Sequence, residues 1–213
     1  MKSKLKKDKN KTMTEQVYEK LEDLIVFCKI EPGTILTEAE IAEMLGAGRT
    51  PVREALILLA KGFLVNISRS GILIPEMNAS VQLQMLEVRH SILRLCVNCA
   101  IKRLTEIDKR NIKELLDNVD KQNDVEFLYW LKKRHDVLAK ASKNQFIFEE
   151  LRNVQGLSHR FWYFYAQKDD HAEGKRLHIK ILEAVLEQDK EQANKSVDDL
   201  IDYLEKFVRR HTI

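Results

Sequence analysis

A chain of 213 residues, 44% of them hydrophobic, has room for one large or two small cores, yet no run of about 18 apolar residues is present to span a membrane. The formal net charge of +3 is unevenly spread: six lysines against Asp8 in residues 1–11, a net of −3 over residues 12–75, and near balance beyond. Bulk charge therefore supports only a basic, solvated tail, and a polyanionic partner has to be argued from where particular arginines lie.

The three cysteines, Cys28, Cys96 and Cys99, cannot make a paired framework, and Cys96 and Cys99 lack a second pair to complete a zinc site. They read as small buried residues in a reducing cytoplasm, consistent with N-terminal lysines that have no apolar stretch of a signal peptide behind them. Pro32, Pro51 and Pro75 all fall in the first 75 residues. Helical periodicity dominates after them, which places a domain boundary at about residue 76.

In chain order, residues 1–11 form the basic tail. "TEQVYEKLEDLIVFCKI" then carries Val17, Leu21, Leu24, Ile25 and Cys28 on one helical face, with Thr14 as N-cap and "EPG" as the stop. "TEAEIAEML" opens with a Thr37–Glu40 capping box and closes at Gly46. A third helix starts near Thr50–Pro51, where proline suits the first turn, has Gly48 as N-cap, and ends at Gly62. Ala55, Leu56, Leu58 and Leu59 are expected on its buried side, with Arg49 and Arg53, four apart, on the other. "FLVNI" and "GILIP" flank "SRSG" as a hairpin.

That order over residues 12–75, three helices and a β-hairpin wing, is that of a winged helix-turn-helix, whose third helix presents its N-terminal end to the DNA major groove. Arg49 and Arg53 can grip guanine or phosphate there, and Thr50 can donate to a phosphate. Arg69, beside Gly71 at the hairpin tip, suits a minor-groove or backbone contact.

Residues 76–213 read as an antiparallel bundle of about six helices, near 78–104, 108–122, 124–142, 145–166, 172–188 and 190–210. Arg89, His135 and His178 interrupt otherwise apolar seams, either as satisfied core residues or as groups converging on an internal cavity. The aromatic run Phe161–Tyr165 must point all around its helix and is expected to be mostly core. His90, His159, His171 and His211 show no partner pattern and are expected in solvent.

"LTEAEIAEMLGAGRTPVREALILLAKGFLVNISRSGILIP" resembles the winged helix of the GntR superfamily, with the R-T-P-V-R-E-A-L core matched without a gap from Arg49 to Leu56. Gly48 departs from that pattern, standing where serine is usual. "LEVRHSIL", "RHDVLAKASKNQF" and "HIKILEAVLEQDKEQANKSVDDLI" resemble the FCD ligand-binding domain of the FadR-type branch, so that the likeness spans about residues 14 to 210.

The resemblance implies a metal ion held by an aspartate four residues before a histidine and by two further histidines. Here His135 and His178 remain, whereas Leu131 stands at the aspartate position and Leu200 at the last histidine. Leu93 replaces a frequent glutamate, while Arg89 and Asn144 fit the pattern. Two imidazoles without a carboxylate make a poor divalent site, so no metal or other cofactor is expected; Asp198, Asp199 and His159 are substitutes that no spacing selects. The pocket, lined by Arg89, Leu131, His135, His178 and Leu200, is expected to be more apolar than usual, with Arg89 available to an anionic effector.

The expected function is a cytoplasmic bacterial transcription regulator and not an enzyme, since no nucleophile–base pair or phosphate-cradling loop is visible. It would bind a palindromic double-stranded operator as a homodimer and respond to a small organic effector, anionic or apolar. The alternative is a DNA-binding accessory or architectural protein whose helical domain only dimerises and senses no ligand.

Overall fold

The computed structural model describes residues 11–119 and 123–211, so most of the basic tail lies outside the described residues. These residues cluster into two units. One holds those up to Met77 together with Gly156–Phe164, and the other holds Asn78–Gln155 and the residues from Tyr165 onward.

The first unit runs α1 (Met13–Val26), β1 (Ile35–Leu36), α2 (Glu38–Leu45), α3 (Arg49–Lys61), β2 (Asn66–Ser68) and β3 (Gly71–Leu73). Helix α1 is capped by Thr12 and not by Thr14: the Thr12 side chain accepts from the Glu15 amide while the Glu15 carboxylate accepts from the Thr12 amide at 2.7 Å. Only Thr12 has an acid three residues on, which is what a reciprocal cap requires. Thr14 instead donates its hydroxyl to Glu54 of α3 at 2.6 Å. The helix ends at Val26, before "EPG", and leaves Cys28 half-buried beyond it.

Helix α2 has the expected Thr37–Glu40 box and closes at Gly46, and α3 begins after Gly48. Val17, Leu21, Ile25, Ile41, Leu45, Val52, Ala55, Leu56 and Leu59 form the core of this unit. Leu58, expected on the buried side of α3, is 40% exposed, because a stripe on 3.6-residue spacing through positions 52, 55, 56 and 59 turns position 58 outward.

The wing is a three-stranded antiparallel sheet in the order β1-β3-β2, with Ile35 opposite Leu73 and Ile67 opposite Ile72. Strand β1 has only two residues, too few for alternation to announce it. Gly71 is required where it sits: its φ is +130°, and an added Cβ would lie 2.9 Å from the Leu36 carbonyl oxygen.

Residues 156–164 belong to this unit. Gly156 lets its helix approach Leu64, whose Cδ1 an added Cβ would meet at 2.8 Å. Of the aromatic run, Phe161 and Trp162 are buried, Tyr163 meets Phe27 edge-on at 5.1 Å, and Phe164 is 51% exposed, so fewer lie in the core than expected.

The second unit is built from α4 (Ala79–Arg103), α5 (Glu106–Asp117), α6 (Asp124–Ala141), the first part of α7 (Gln145–Tyr165), α8 (Lys168–Leu186) and α9 (Lys190–Arg210). Helix α4 packs on α6, α8 and α9, and α5 packs on α6 and α8. The seams Leu128–Leu131–His135–Leu138–Ser142, His178–Ile181–Leu182–Val185 and Val197–Leu200–Ile201–Leu204–Val208 are all buried. Cys96 is buried on α4, whereas Cys99 is half-buried.

Helix α8 starts four residues earlier than its apolar pattern suggests, because Asp170 accepts the Gln167 amide at 3.0 Å and caps the extra turn. The other oxygen of that carboxylate accepts from Tyr203 at 2.6 Å and from Arg210 at 2.7 Å, both on α9. Burial alone would raise the Asp170 carboxyl, but these three donors hold it below the ordinary range, and burial together with Asp170 pushes the Tyr203 hydroxyl up to about 12.

A depressed carboxyl pKa stabilises the fold above its unfolded value and loses that contribution as pH falls through the folded value. Asp170→Asn is accordingly expected to destabilise the protein by about 1–3 kcal/mol at pH 7. In urea unfolding, the gap from the parent should narrow as the pH falls through and below the ordinary carboxylate range.

Candidate DNA interface and effector site

Complete burial of Val52, Ala55, Leu56 and Leu59 sends Arg49, Thr50, Arg53 and Glu54 to the opposite, exposed face of α3. The N-cap, Gly48, makes no side-chain hydrogen bond, so the first amides of α3 are left to other acceptors. Arg53 is fixed by a residue that sequence reasoning did not single out. Glu38, in the first turn of α2, accepts from Arg53 Nε at 3.1 Å and from Nη2 at 2.9 Å.

Those hydrogen bonds hold the Glu38 carboxyl below the ordinary range, and the charges of Arg53 and Arg49 add to the effect. The fork occupies one edge of the guanidinium and leaves the Nη1 and outer Nη2 hydrogens projecting from a side chain that is 69% exposed. Arg69 is exposed in the turn between β2 and β3, and Gly71 follows it, half-buried in the sheet.

In the helical unit, Arg89, Leu131, His135, His178 and Leu200 are all buried, each at 5% exposure or less. His135 ties the polar members together. Its Nδ1 donates to Gln155 Oε1 at 2.6 Å, and its Nε2 lies 3.4 Å from Arg89 Nη2, the arrangement of a neutral imidazole. The His178 ring stands 6.3 Å from that of His135, with Phe127 and Trp130 at 6.5 and 6.4 Å on its other sides.

Sequence reasoning missed Arg134, which is fully buried on α6. Burial, followed by repulsion from Arg89, pushes its guanidinium down to about 9, and burial takes Arg89 to about 10. Both remain cations at neutral pH, so the region expected to be more apolar than usual, with Arg89 in it, holds a second buried cation. The only signal in the sequence is that Arg134 directly precedes the seam residue His135 within "LKKRHDVL", where the adjoining Lys132 and Lys133 give it the look of a surface charge.

These residues do not fit the metal that the resemblance implies. Both ring nitrogens of His135 are engaged, one of them toward a cation, and Leu131 and Leu200 offer no donor atom. Among the described residues no group of three or more His, Cys, Asp or Glu could hold an ion. Asp198 is held by Arg94 and by His90 at 2.7 Å.

The histidines expected in solvent are mostly engaged. His90 has Asp198, His211 has the Phe207 carbonyl at 2.8 Å, His171 meets the Phe127 ring edge at 6.3 Å, and His159 is buried. A surface groove of about 750 Å³, lined by Arg103, Lys140, Lys143, Asn144, Phe146 and Phe148, includes none of the cluster residues.

Known proteins share both parts. The pattern described as bacterial regulatory proteins, gntR family, matches residues 13–74, and that of the FCD domain matches residues 84–203. A Bacillus subtilis (strain 168) protein named uncharacterized HTH-type transcriptional regulator YdhC is 28% identical over 189 residues, covering 85% of this chain and 84% of its own. The HTH-type transcriptional repressor RspR of Escherichia coli (strain K12) is 25% identical, with coverage of 93% and 90%. A solved structure described as E. coli McbR/YncC superposes with a TM-score of 0.77 over 95% of this chain and 100% of that one. Its 21% identity makes that a likeness of fold.

Calorimetric titration of the chelator-treated protein with zinc or nickel is expected to give no tight, stoichiometric binding. Stoichiometric binding that disappears in His135→Ala would contradict the mismatch argued from the ring contacts and the two leucines.

Proposed function

The chain belongs to the GntR family of bacterial regulatory proteins and carries an FCD domain, and from that premise we propose that it acts in the cytoplasm as a homodimer on a two-fold symmetric DNA operator, its affinity set by a small effector in the helical domain. It is a transcriptional regulator, and the proposal concerns how it reads DNA and what controls it. The observation that carries the reading is the exposed tip of α3, where Arg49, Thr50 and Arg53 project together opposite a fully buried face.

Arg53 is the proposed base reader. With one edge of its guanidinium held by Glu38, the remaining pair of N–H groups matches guanine O6 and N7 in the major groove. Arg49 and Thr50 serve phosphates, and Arg69, in the wing turn just before Gly71 opens β3, reaches the minor groove or the backbone. These phosphate contacts make affinity fall steeply with salt.

A second copy is supported by α4, on which Val81, Val88 and Leu95 stand seven residues apart at 40–52% exposure, an apolar stripe of the kind that pairs helices. Two copies related by a two-fold axis place two recognition helices on a palindrome. The effector acts by binding one relative setting of those helices better than another.

Arg53→Ala is expected to weaken binding to an operator obtained by in-vitro selection roughly 5- to 150-fold while leaving the melting temperature unchanged. Glu38→Gln, which loosens the fork, should narrow the gap in affinity between that operator and one with the contacted guanine replaced. Parent-like affinity in the arginine variant would remove Arg53 from the role of base reader.

A further inference from the structure

Arg134 is the least accommodated group in the helical unit. Its side chain is fully buried, and none of its three guanidinium nitrogens has a hydrogen-bond partner among the described residues. Arg89, 3% exposed on α4, is close enough to repel it. Cys96, its other charged-state neighbour, gives no relief, because burial pushes the thiol up to about 12 and keeps it neutral.

Guanidinium keeps its charge at neutral pH, and a buried cation without an acceptor is stable only when something supplies the missing negative charge. Arginine's planar fork matches the oxygens of carboxylates and phosphates, and a second guanidinium, Arg89, lies near enough to add its charge to the attraction. The neighbouring imidazole adds no competing charge, because His135 is neutral, bonded to Gln155 on one nitrogen and facing Arg89 with the other.

We propose that Arg134 and Arg89 together form an internal site for a small oxyanion, carboxylate or phosphate, held by the two guanidinium groups without a metal ion. The pair also repels a divalent cation from His135 and His178. The site stands on the buried, unpartnered guanidinium of Arg134 and the nearness of Arg89. Its part in regulation rests on the effector reading given above.

The test uses the full-length protein in chelator-containing buffer and follows melting temperature with inorganic phosphate, with succinate, and with chloride at matched ionic strength. At least one of the two oxyanions is expected to raise the melting temperature by several degrees over chloride, and which one does so separates phosphate from carboxylate. Arg134→Met, which removes the buried charge and keeps the volume, should fold at least as stably as the parent without ligand and lose that response. Arg134→Lys should keep a weaker one.

An equal response in Arg134→Met, a response only when divalent metal is added, or no response to either oxyanion would overturn the site. Operator affinity is measured separately on the anion-saturated protein. A rise in melting temperature with unchanged operator affinity supports the site and refutes the effector reading.

Discussion

Burial of one face of α3 is the constraint on which the N-terminal unit depends. Val52, Ala55, Leu56 and Leu59 have essentially no exposure, and each large side chain among them contributes about 1.5–3 kcal/mol by leaving water. Helical spacing then leaves no choice about what faces outward: Arg49, Thr50, Arg53 and Glu54. The neighbouring elements refine the presentation. Thr14 on α1 holds Glu54, and Glu38 on α2 holds Arg53, so two side chains of the exposed face are oriented before any partner arrives. Positioning of this kind lowers the entropic cost of recognition, since a long arginine side chain has less freedom left to lose.

Two buried charges in the helical unit illustrate the difference between a structural ion and one that points to a ligand. Asp170 is nearly as buried as Arg134, but it collects donors from Gln167, Tyr203 and Arg210 and joins two helices through them. Arg134 collects none among the described residues. In an interior of low dielectric the first arrangement is stabilising and the second is costly, and a cost of that kind persists in a fold when something outside the chain offsets it. Arg89, His135 and Gln155 extend the same polar track, whereas the leucines at 131 and 200 close off the route to metal coordination.

Most of the architecture was legible because amphipathic helices announce themselves through their period, and because the Thr37–Glu40 and Gly48–Pro51 signals are local. What escaped was nonlocal or too short. Strand β1 exists only because β3 offers it an edge, and two residues cannot display alternation. The true cap at Thr12 was legible in principle from Glu15 three residues later. Leu58 faces outward because the buried stripe follows helical spacing, which a run of apolar residues does not display. The α3 arginines stood out through their spacing, but the Glu38 fork joins residues fifteen apart on different helices. Arg134 was hidden for a related reason: beside Lys132 and Lys133 it looks like surface, and only the packing of α4 on α6 turns it inward.

The most direct measurement of the central claim is hydroxyl-radical and base-protection footprinting of the full-length protein on duplexes recovered by in-vitro selection. Two equivalent protected segments are expected about one helical turn or a multiple apart, related by a two-fold axis, with guanine contacts that disappear when Arg53 is truncated. Recovery of no enriched sequence, or protection indifferent to the α3 arginines, would contradict it.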